Sequence, residues 1–217
     1  IIGSGQQIPE SVYSSLQTSE IAGDKAPIIS IFVSSPQMGE IAFELLGVDV
    51  FVDGAFRNYV NSGTDIPLDQ LIPFLTQPGA VMVSQSTAER YGLRRGDKIQ
   101  LTIEGRVATT VIAGILNSPE DRLAARALEG IIVADIATAQ ELSGRVGYLD
   151  RIDLIAPDNV SLAEWLASIE KLLPDGLVLQ AGANRDMYLE EMTSAFKLNL
   201  SALSLLALVV GLFLIYN

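Results

Sequence analysis

Three pairs of neighbouring acids are the places in this sequence where side-chain chemistry could begin: Glu120/Asp121, Asp150/Asp153 and Glu190/Glu191. Two carboxylates at a fixed separation can divide general acid and general base work between them. Each pair also has a plain structural reading. Glu120 and Asp121 follow Ser118-Pro119, where acids suit the start of a helix. Asp150 and Asp153 flank Arg151 near a strand end and, three residues apart on a strand, point to opposite faces. Glu190 and Glu191 fit a solvated helix face. Asp49 and Asp53, with Gly54, are too sparse for a calcium loop. Serines are plentiful (Ser14, Ser15, Ser34, Ser35, Ser84, Ser86), but no G-x-S-x-G elbow occurs, and only a Ser/Lys dyad is left open by spacing. Gly3-Ser4-Gly5 is no phosphate loop, and neither the dinucleotide nor the P-loop motif is present. The strongest basic pair, Arg94-Arg95, lies in Gly92-Leu93-Arg94-Arg95-Gly96-Asp97, which reads as a helix stop leading into a hairpin. No residue is assigned a catalytic, cofactor-binding or metal-ligating role.

The composition narrows the chemistry further. The 217 residues carry 14 Lys and Arg against 26 Asp and Glu, a formal charge of −12, with no Cys and no His. Disulfides, thiol nucleophiles, zinc fingers and His-based triads are excluded. An acidic chain repels phosphate backbones, so nucleic acid is not an expected partner. The mean hydropathy of +0.35 is high for so acidic a chain.

That excess has one location. Lys197 is the last charged residue, and fifteen of the twenty residues from Leu198 to Asn217 are apolar. Twenty helical residues span about 30 Å, the hydrocarbon thickness of a bilayer. The pattern predicts a transmembrane helix over 198–217, whose Ser201, Ala202, Ser204, Ala207 and Gly211 suit close packing against other membrane helices. The remainder has ordinary globular composition. The chain starts at Ile1 without Met and stops just after the span, so it reads as an excerpt. Residues 184–197 carry no excess of Lys or Arg, which favours an extracytoplasmic position for the folded part.

The elements that must position any site alternate between helical and strand patterns. Pro9 opens a short amphipathic helix burying Val12 and Leu16, with Tyr13 a further candidate. Strands are expected at 26–33, at 41–52 with a break near Gly47, at 80–83, at 131–134, at 151–156 and at 177–179. Asn61 to Thr64 is a turn, and Pro67 to Leu75 a short helix. Ser84 and Asp135 each cap a helix ended by Gly92 or near Gly144. Thr87-Ala88-Glu89 and Thr138-Ala139-Gln140 echo each other 51 residues apart, a match too short to stand as a sequence repeat. Residues 98–104 alternate strictly and return through Glu104-Gly105 as a hairpin to 107–115. Ser161 and Glu164 form a capping box on a helix burying Leu162, Trp165 or Leu166, Ile169 and Leu173. From Asn184 to Gly211 no helix breaker occurs, so one rod, amphipathic and then apolar, is predicted.

The tail, with Asn199-Leu200, Ala202-Leu203-Ser204 and Ile215-Tyr216-Asn217, resembles the start of the second membrane helix in FtsX-like ABC transporter permeases. Val83, Ala88, Gly92, Gly96-Asp97, the Gly105 turn and the run Tyr148 to Asp153 resemble their MacB-like periplasmic core domain. The resemblance implies an α+β extracytoplasmic domain of two lobes over 1–183, the second inserted at about 80–156, then a stalk helix at 184–197 and a truncated membrane helix at 198–217. It implies a non-catalytic permease subunit of the bacterial inner membrane, with no cofactor. Its partners would be membrane lipid, a cytoplasmic ATPase on a separate chain, and a second permease or permease-like half. The domain would pass ATPase-driven helix motion to export, extraction or activation of a partner. No site residue carries over. Two other readings of the residues are a membrane-anchored binding or sensor module and an anchored hydrolase using Asp150, Asp153, Glu120 and Asp121.

Overall fold

Strands buried on both faces, rather than on one, set the architecture. Ala80 to Ser84 and Ile132 to Ala134 are buried without a gap, as expected of strands with packing on either side. The computed structural model describes residues 1–3, 7–56, 66–117, 125, 126 and 128–180. Residues Ile1–Leu179 cluster as one compact unit of mixed α+β class. The expected turn at Asn61, the acids Glu120, Asp121, Glu190 and Glu191, the stalk and the membrane span lie outside the described residues.

In chain order the elements are β1 (Ile2–Gly3), β2 (Ile8–Pro9), α1 (Glu10–Thr18), β3 (Asp24–Ser34), β4 (Phe43–Val48), α2 (Leu68–Thr76), β5 (Ala80–Ser84) and α3 (Gln85–Tyr91). They continue as β6 (Lys98–Ile103), β7 (Arg106–Leu116), β8 (Ile131–Asp135), α4 (Ile136–Ser143), β9 (Tyr148–Leu149), β10 (Arg151–Ile155), α5 (Leu162–Glu170) and β11 (Leu177–Val178). Nine strands form one sheet in the order β11-β1-β10-β3-β4-β8-β5-β7-β6. It closes on itself, because β3 also pairs with β6 through Val33↔Ile103 and Ser34↔Thr102. The result is a six-stranded barrel, β3-β4-β8-β5-β7-β6, which removes most sheet edges. Beyond the seam, Gln37 adds a side-chain acceptor for the Gln100 amide at 3.1 Å. β10, β1 and β11 extend from the other part of β3.

Alternate residues divide the core in two. Leu45, Val81, Val83, Ile112 and Ile132 join one cluster with Ile8, Val12, Leu16 and Trp165. Leu46, Val48, Met82, Ala113 and Val133 face the other way, where α2 lays Phe74 over them. Full burial of one such ring is worth about 1.5–3 kcal/mol.

Several local expectations resolve differently. β4 runs unbroken through Gly47. A Cβ there would overlap that of Ala139 on α4, so glycine serves close helix–strand approach rather than a break. The β6–β7 hairpin forms as expected, with Glu104 at φ 47° and Gly105 at φ 81°, the two left-handed residues of a type I′ turn. Ser84 caps α3 by accepting from the Thr87 amide at 3.2 Å. Ser161 makes no side-chain cap bond to α5, and Leu162 is exposed while Trp165 and Ile169 are buried. Trp165 is held from α5 by Nε1 donating to the Ala22 carbonyl at 2.6 Å.

α2 contains Pro73 in its interior. A proline cannot donate to the carbonyl four residues back, here Asp69. Arg95 supplies the missing donors, with Nη2 on the Asp69 carbonyl and Nη1 on its Oδ2, both at 2.7 Å.

Candidate functional site

The paired ends of the unit are the first feature with a functional bearing. Ile2 pairs with Val178 and Gly3 with Leu177 in antiparallel register. On the other side of β1, Ile1 and Ile152 exchange backbone bonds of 2.7 and 3.0 Å. In an antiparallel pair the start of one strand lies beside the end of the other. The chain beyond Val178 therefore leaves β11 next to Ile1. β1 and β11 reach the barrel through β10, whose five residues pair with Asp24 to Ile28 of β3.

Of the acid pairs noted in the sequence, Asp150 and Asp153 are described, and both are committed to structure. Asp150 Oδ2 accepts from the Ser30 amide at 2.8 Å, and Oδ1 accepts from Arg145 Nη1 at 2.9 Å. Arg145 also pairs with Glu104 at the hairpin turn, so one guanidinium ties that turn to the segment between β9 and β10. Asp153 Oδ1 accepts from Arg151 Nε at 3.0 Å. Asp49 closes a turn by accepting from the Phe51 amide at 3.0 Å, and Asp53 is fully buried. The Ser84 hydroxyl lies 2.9 Å from Thr87 Oγ1 and 3.0 Å from Ser86 Oγ, as a cap. Among the described residues, no three of His, Cys, Asp and Glu gather to hold a metal.

The second feature is a groove of about 580 Å³ between α2, α3 and the end of β7. Ala88, Leu93 and Ile115 supply its apolar surface; Gln70, Gln85, Glu89, Arg94, Arg95 and Asn117 supply polar groups. Gln70 is fixed, its Oε1 accepting from the Ile115 amide at 3.0 Å. That amide follows a register shift in the β5–β7 ladder between Val81 and Met82, the kind of irregularity that leaves a donor unpaired. Gln85 Nε2 donates to Glu89 Oε1 at 2.8 Å. Arg94 is exposed, and its guanidinium has no hydrogen bond or ion pair among the described residues. Sequence reading singled out Arg94 and Arg95 but not Gln70 or Asn117, whose types and spacing carry no signal of their own.

Comparison with known proteins finds a similar sequence within an ABC transporter permease, of which this chain spans about a fifth. The relative is an uncharacterized ABC transporter permease protein of Mycobacterium tuberculosis, 39% identical over 192 residues. The match takes in 88% of this chain and 22% of that protein's length. No established family profile matches. Several solved structures are similar, among them two at 12% identity. The periplasmic region of MacB from Actinobacillus actinomycetemcomitans matches over 77% of this chain and 74% of its own, with a TM-score of 0.48. The extracellular domain of the noncanonic ABC-type transporter YknZ from Gram-positive bacteria matches over 75% and 78%, with a TM-score of 0.47. Among the described residues no helix is long and apolar enough to cross a membrane.

Proposed function

We propose that the described residues form the extracytoplasmic domain of an ABC transporter permease subunit in the bacterial inner membrane, a domain that transmits motion and performs no catalysis. On this reading residues 184–197 are a stalk helix and 198–217 the start of a membrane helix in lipid. A separate cytoplasmic ATPase drives the motion, and the permease works as a dimer or with a second permease-like half. The observation carrying the proposal is the antiparallel pairing of β1 with β11. Two chain segments that leave side by side can load one sheet edge together, and a ladder of backbone bonds through β10 and β3 leads from that edge to the barrel. The commitment of Asp150 and Asp153 to structural bonds supports a non-catalytic role.

The test is a reversible lock on that edge in the complete permease, assembled with its ATPase in nanodiscs. These 217 residues hold no cysteine; with any cysteine elsewhere in the complex replaced by serine, Ile2→Cys with Val178→Cys gives one defined disulfide. Oxidation is expected to lower nucleotide-driven turnover, and reductant to restore it. Turnover indifferent to oxidation, with the disulfide verified, would remove the coupling role.

A further inference from the structure

The barrel contains an internal two-fold. β5 and β8 pair antiparallel as Val81↔Ala134, Met82↔Val133 and Val83↔Ile132. This register maps Val81 to Ile132, Met82 to Val133 and Val83 to Ala134, a constant offset of 51 residues. The flanking ladders obey the same operation. Leu116 lies beside Ser84 in parallel, and Val48 lies beside Asp135 in parallel. The helices follow: Ser84 caps α3 and Asp135 caps α4. The turns after them match as well, since Arg94 and Arg145 each offer a carbonyl to the amide three residues on, across Gly96 at φ 88° and Gly147 at φ 82°. Directly afterwards the two halves differ. After α3 the chain returns as β6, which pairs with β7. After α4 the equivalent strand, β10, does not pair with β4, the counterpart of β7. β3 takes that place, and β10 lies on the far edge of β3. That edge carries two strands, β10 along Asp24 to Ile28 and β6 at Val33 and Ser34. Among the described residues no strand pairs with Ile29 to Phe32 in the fork between them.

Side chains bridge the fork. Asp150, just before β10, accepts from the Ser30 amide and from Arg145, and the same guanidinium pairs with Glu104 at the β6–β7 turn. A forked guanidinium can serve two carboxylates at once, where an ammonium is a single point charge. Arg145 is itself fixed to the barrel, its amide donating to the Gln140 carbonyl at the end of α4 at 2.9 Å. Arg106, past the turn, returns a bond to that helix end, Nη2 donating to the Ser143 carbonyl at 2.6 Å. Arg94, in the equivalent turn, makes no such bonds, so turn geometry does not demand them; they belong to the half that carries the fork. Given the coupling role proposed above, we propose that the fork is a hinge and Arg145 its strap. With the strap closed, the β10-β1-β11 extension and the β6–β7 hairpin move as one body. Load on the β1–β11 edge opens the fork by swinging the extension about Ile28, where the ladder to β4 ends. Asp24 to Pro27 lie beyond that ladder and pair with β10 alone. The extension is held to β3 by five backbone pairs but to the hairpin by the side chains of Asp150, Arg145 and Glu104, so the fork yields before the ladder does. A hinge takes up its change in a few residues, and an element with two discrete arrangements is what couples distant sites.

The test is made on the complete permease with its ATPase in nanodiscs, cysteines elsewhere replaced by serine. Nitroxide labels are placed at Val107→Cys on the hairpin and Ile155→Cys at the end of β10, both exposed positions, and pulsed electron–electron resonance reads the distance between them. The parent is expected to show one narrow population at rest and a second when freeze-trapped during nucleotide turnover. The Arg145 and Asp150 side chains are only 22% and 24% exposed, so their bond is felt on the scale of hydrogen bonds to charged groups. Arg145→Met is accordingly expected to raise the resting ratio of second to first population by about tenfold or more. Glu104→Gln cuts one arm of the strap at an exposed turn and is expected to act in the same direction by less; it carries the test where the Arg145 variant does not assemble. A single unchanging population in the parent under turnover, or a resting distribution that neither variant alters, overturns the hinge. Hinge and coupling fail separately. A second population in a permease whose turnover ignores the Ile2–Val178 disulfide keeps the hinge and removes the coupling role. Turnover sensitive to that disulfide, with one population throughout, does the reverse.

Discussion

Met82 and Val133 face each other across β5 and β8, and they hold the same place in two copies of one strand–helix–turn motif. The axis relating the copies passes between them. Each copy lays its helix on the barrel. Ala139 lies against Gly47 on β4, whereas on β7 the place of Gly47 is taken by the larger Ile115, which lines the groove with Ala88.

That difference predicts the effect of a methyl group at Gly47. The added Cβ would overlap that of Ala139 and press on Ile29 at 3.2 Å, both inside the core. Gly47→Ala is expected to cost about 1–3 kcal/mol through overpacking. Gly130→Ala, where a Cβ would meet nothing within 4 Å, is the matched control. Urea midpoints compare the two, and equal midpoints would show that α4 can retreat freely.

Arg95 and Pro73 should be energetically coupled. With Pro73 in place the Asp69 carbonyl depends on Arg95; with alanine at 73 the helix regains its own amide donor. Arg95→Met is therefore expected to destabilise the parent by about 1 kcal/mol and the Pro73→Ala chain by less. A double-mutant cycle measures the difference. A coupling of zero would assign the contact to ordinary surface ion pairing.

Gln70 holds α2 to β7 by one bond to a backbone amide. Gln70→Leu leaves that amide without its acceptor and is expected to cost about 1–3 kcal/mol, whereas Gln70→Glu keeps an acceptor and should cost less. Hydrogen exchange at Ile115 locates the effect: fast exchange only in the leucine variant is the expected pattern.

Asp135 gives a pH dependence. Burial pushes its carboxyl above the ordinary 3.8, the Asp49 charge adds to this, and the backbone amides of Ala137, Ile136 and Thr138 oppose it. A carboxyl whose folded pKa exceeds its unfolded one binds more protons when folded, so its contribution to stability falls as pH rises past the unfolded value. Asparagine retains a capping oxygen without the charge. The stability of Asp135→Asn relative to the parent is thus expected to rise between about pH 3 and about pH 7. Denaturation midpoints at both ends of that range suffice, and a falling difference would contradict the sign.

Much of the local structure was legible because single residues decide it. Ser84, Asp135 and the Glu104-Gly105 pair announce caps and a hairpin by chemistry that acts within a few residues. The barrel was not legible, since its closure rests on Val33 meeting Ile103, a pairing 70 residues apart that no periodicity encodes. The internal two-fold left only faint marks: Thr87-Ala88, Arg94 and Gly96 recur at Thr138-Ala139, Arg145 and Gly147. Those are positions fixed by packing and turn geometry, while the surface between them has diverged. Gln70 and Asn117 acquire meaning from the helix and strand that bring them together. Gly47 misled in an instructive way, because glycine in a strand marks either a break or a close approach, and only the position of Ala139 separates the two.

The adjacency of Ile1 and Val178 has a consequence for ancestry. A unit whose ends meet can be spliced into a tight connection of another protein without prising that connection apart, and can be excised again just as cleanly. Such a cassette can duplicate, relocate or swap hosts while the protein that carries it keeps its own register.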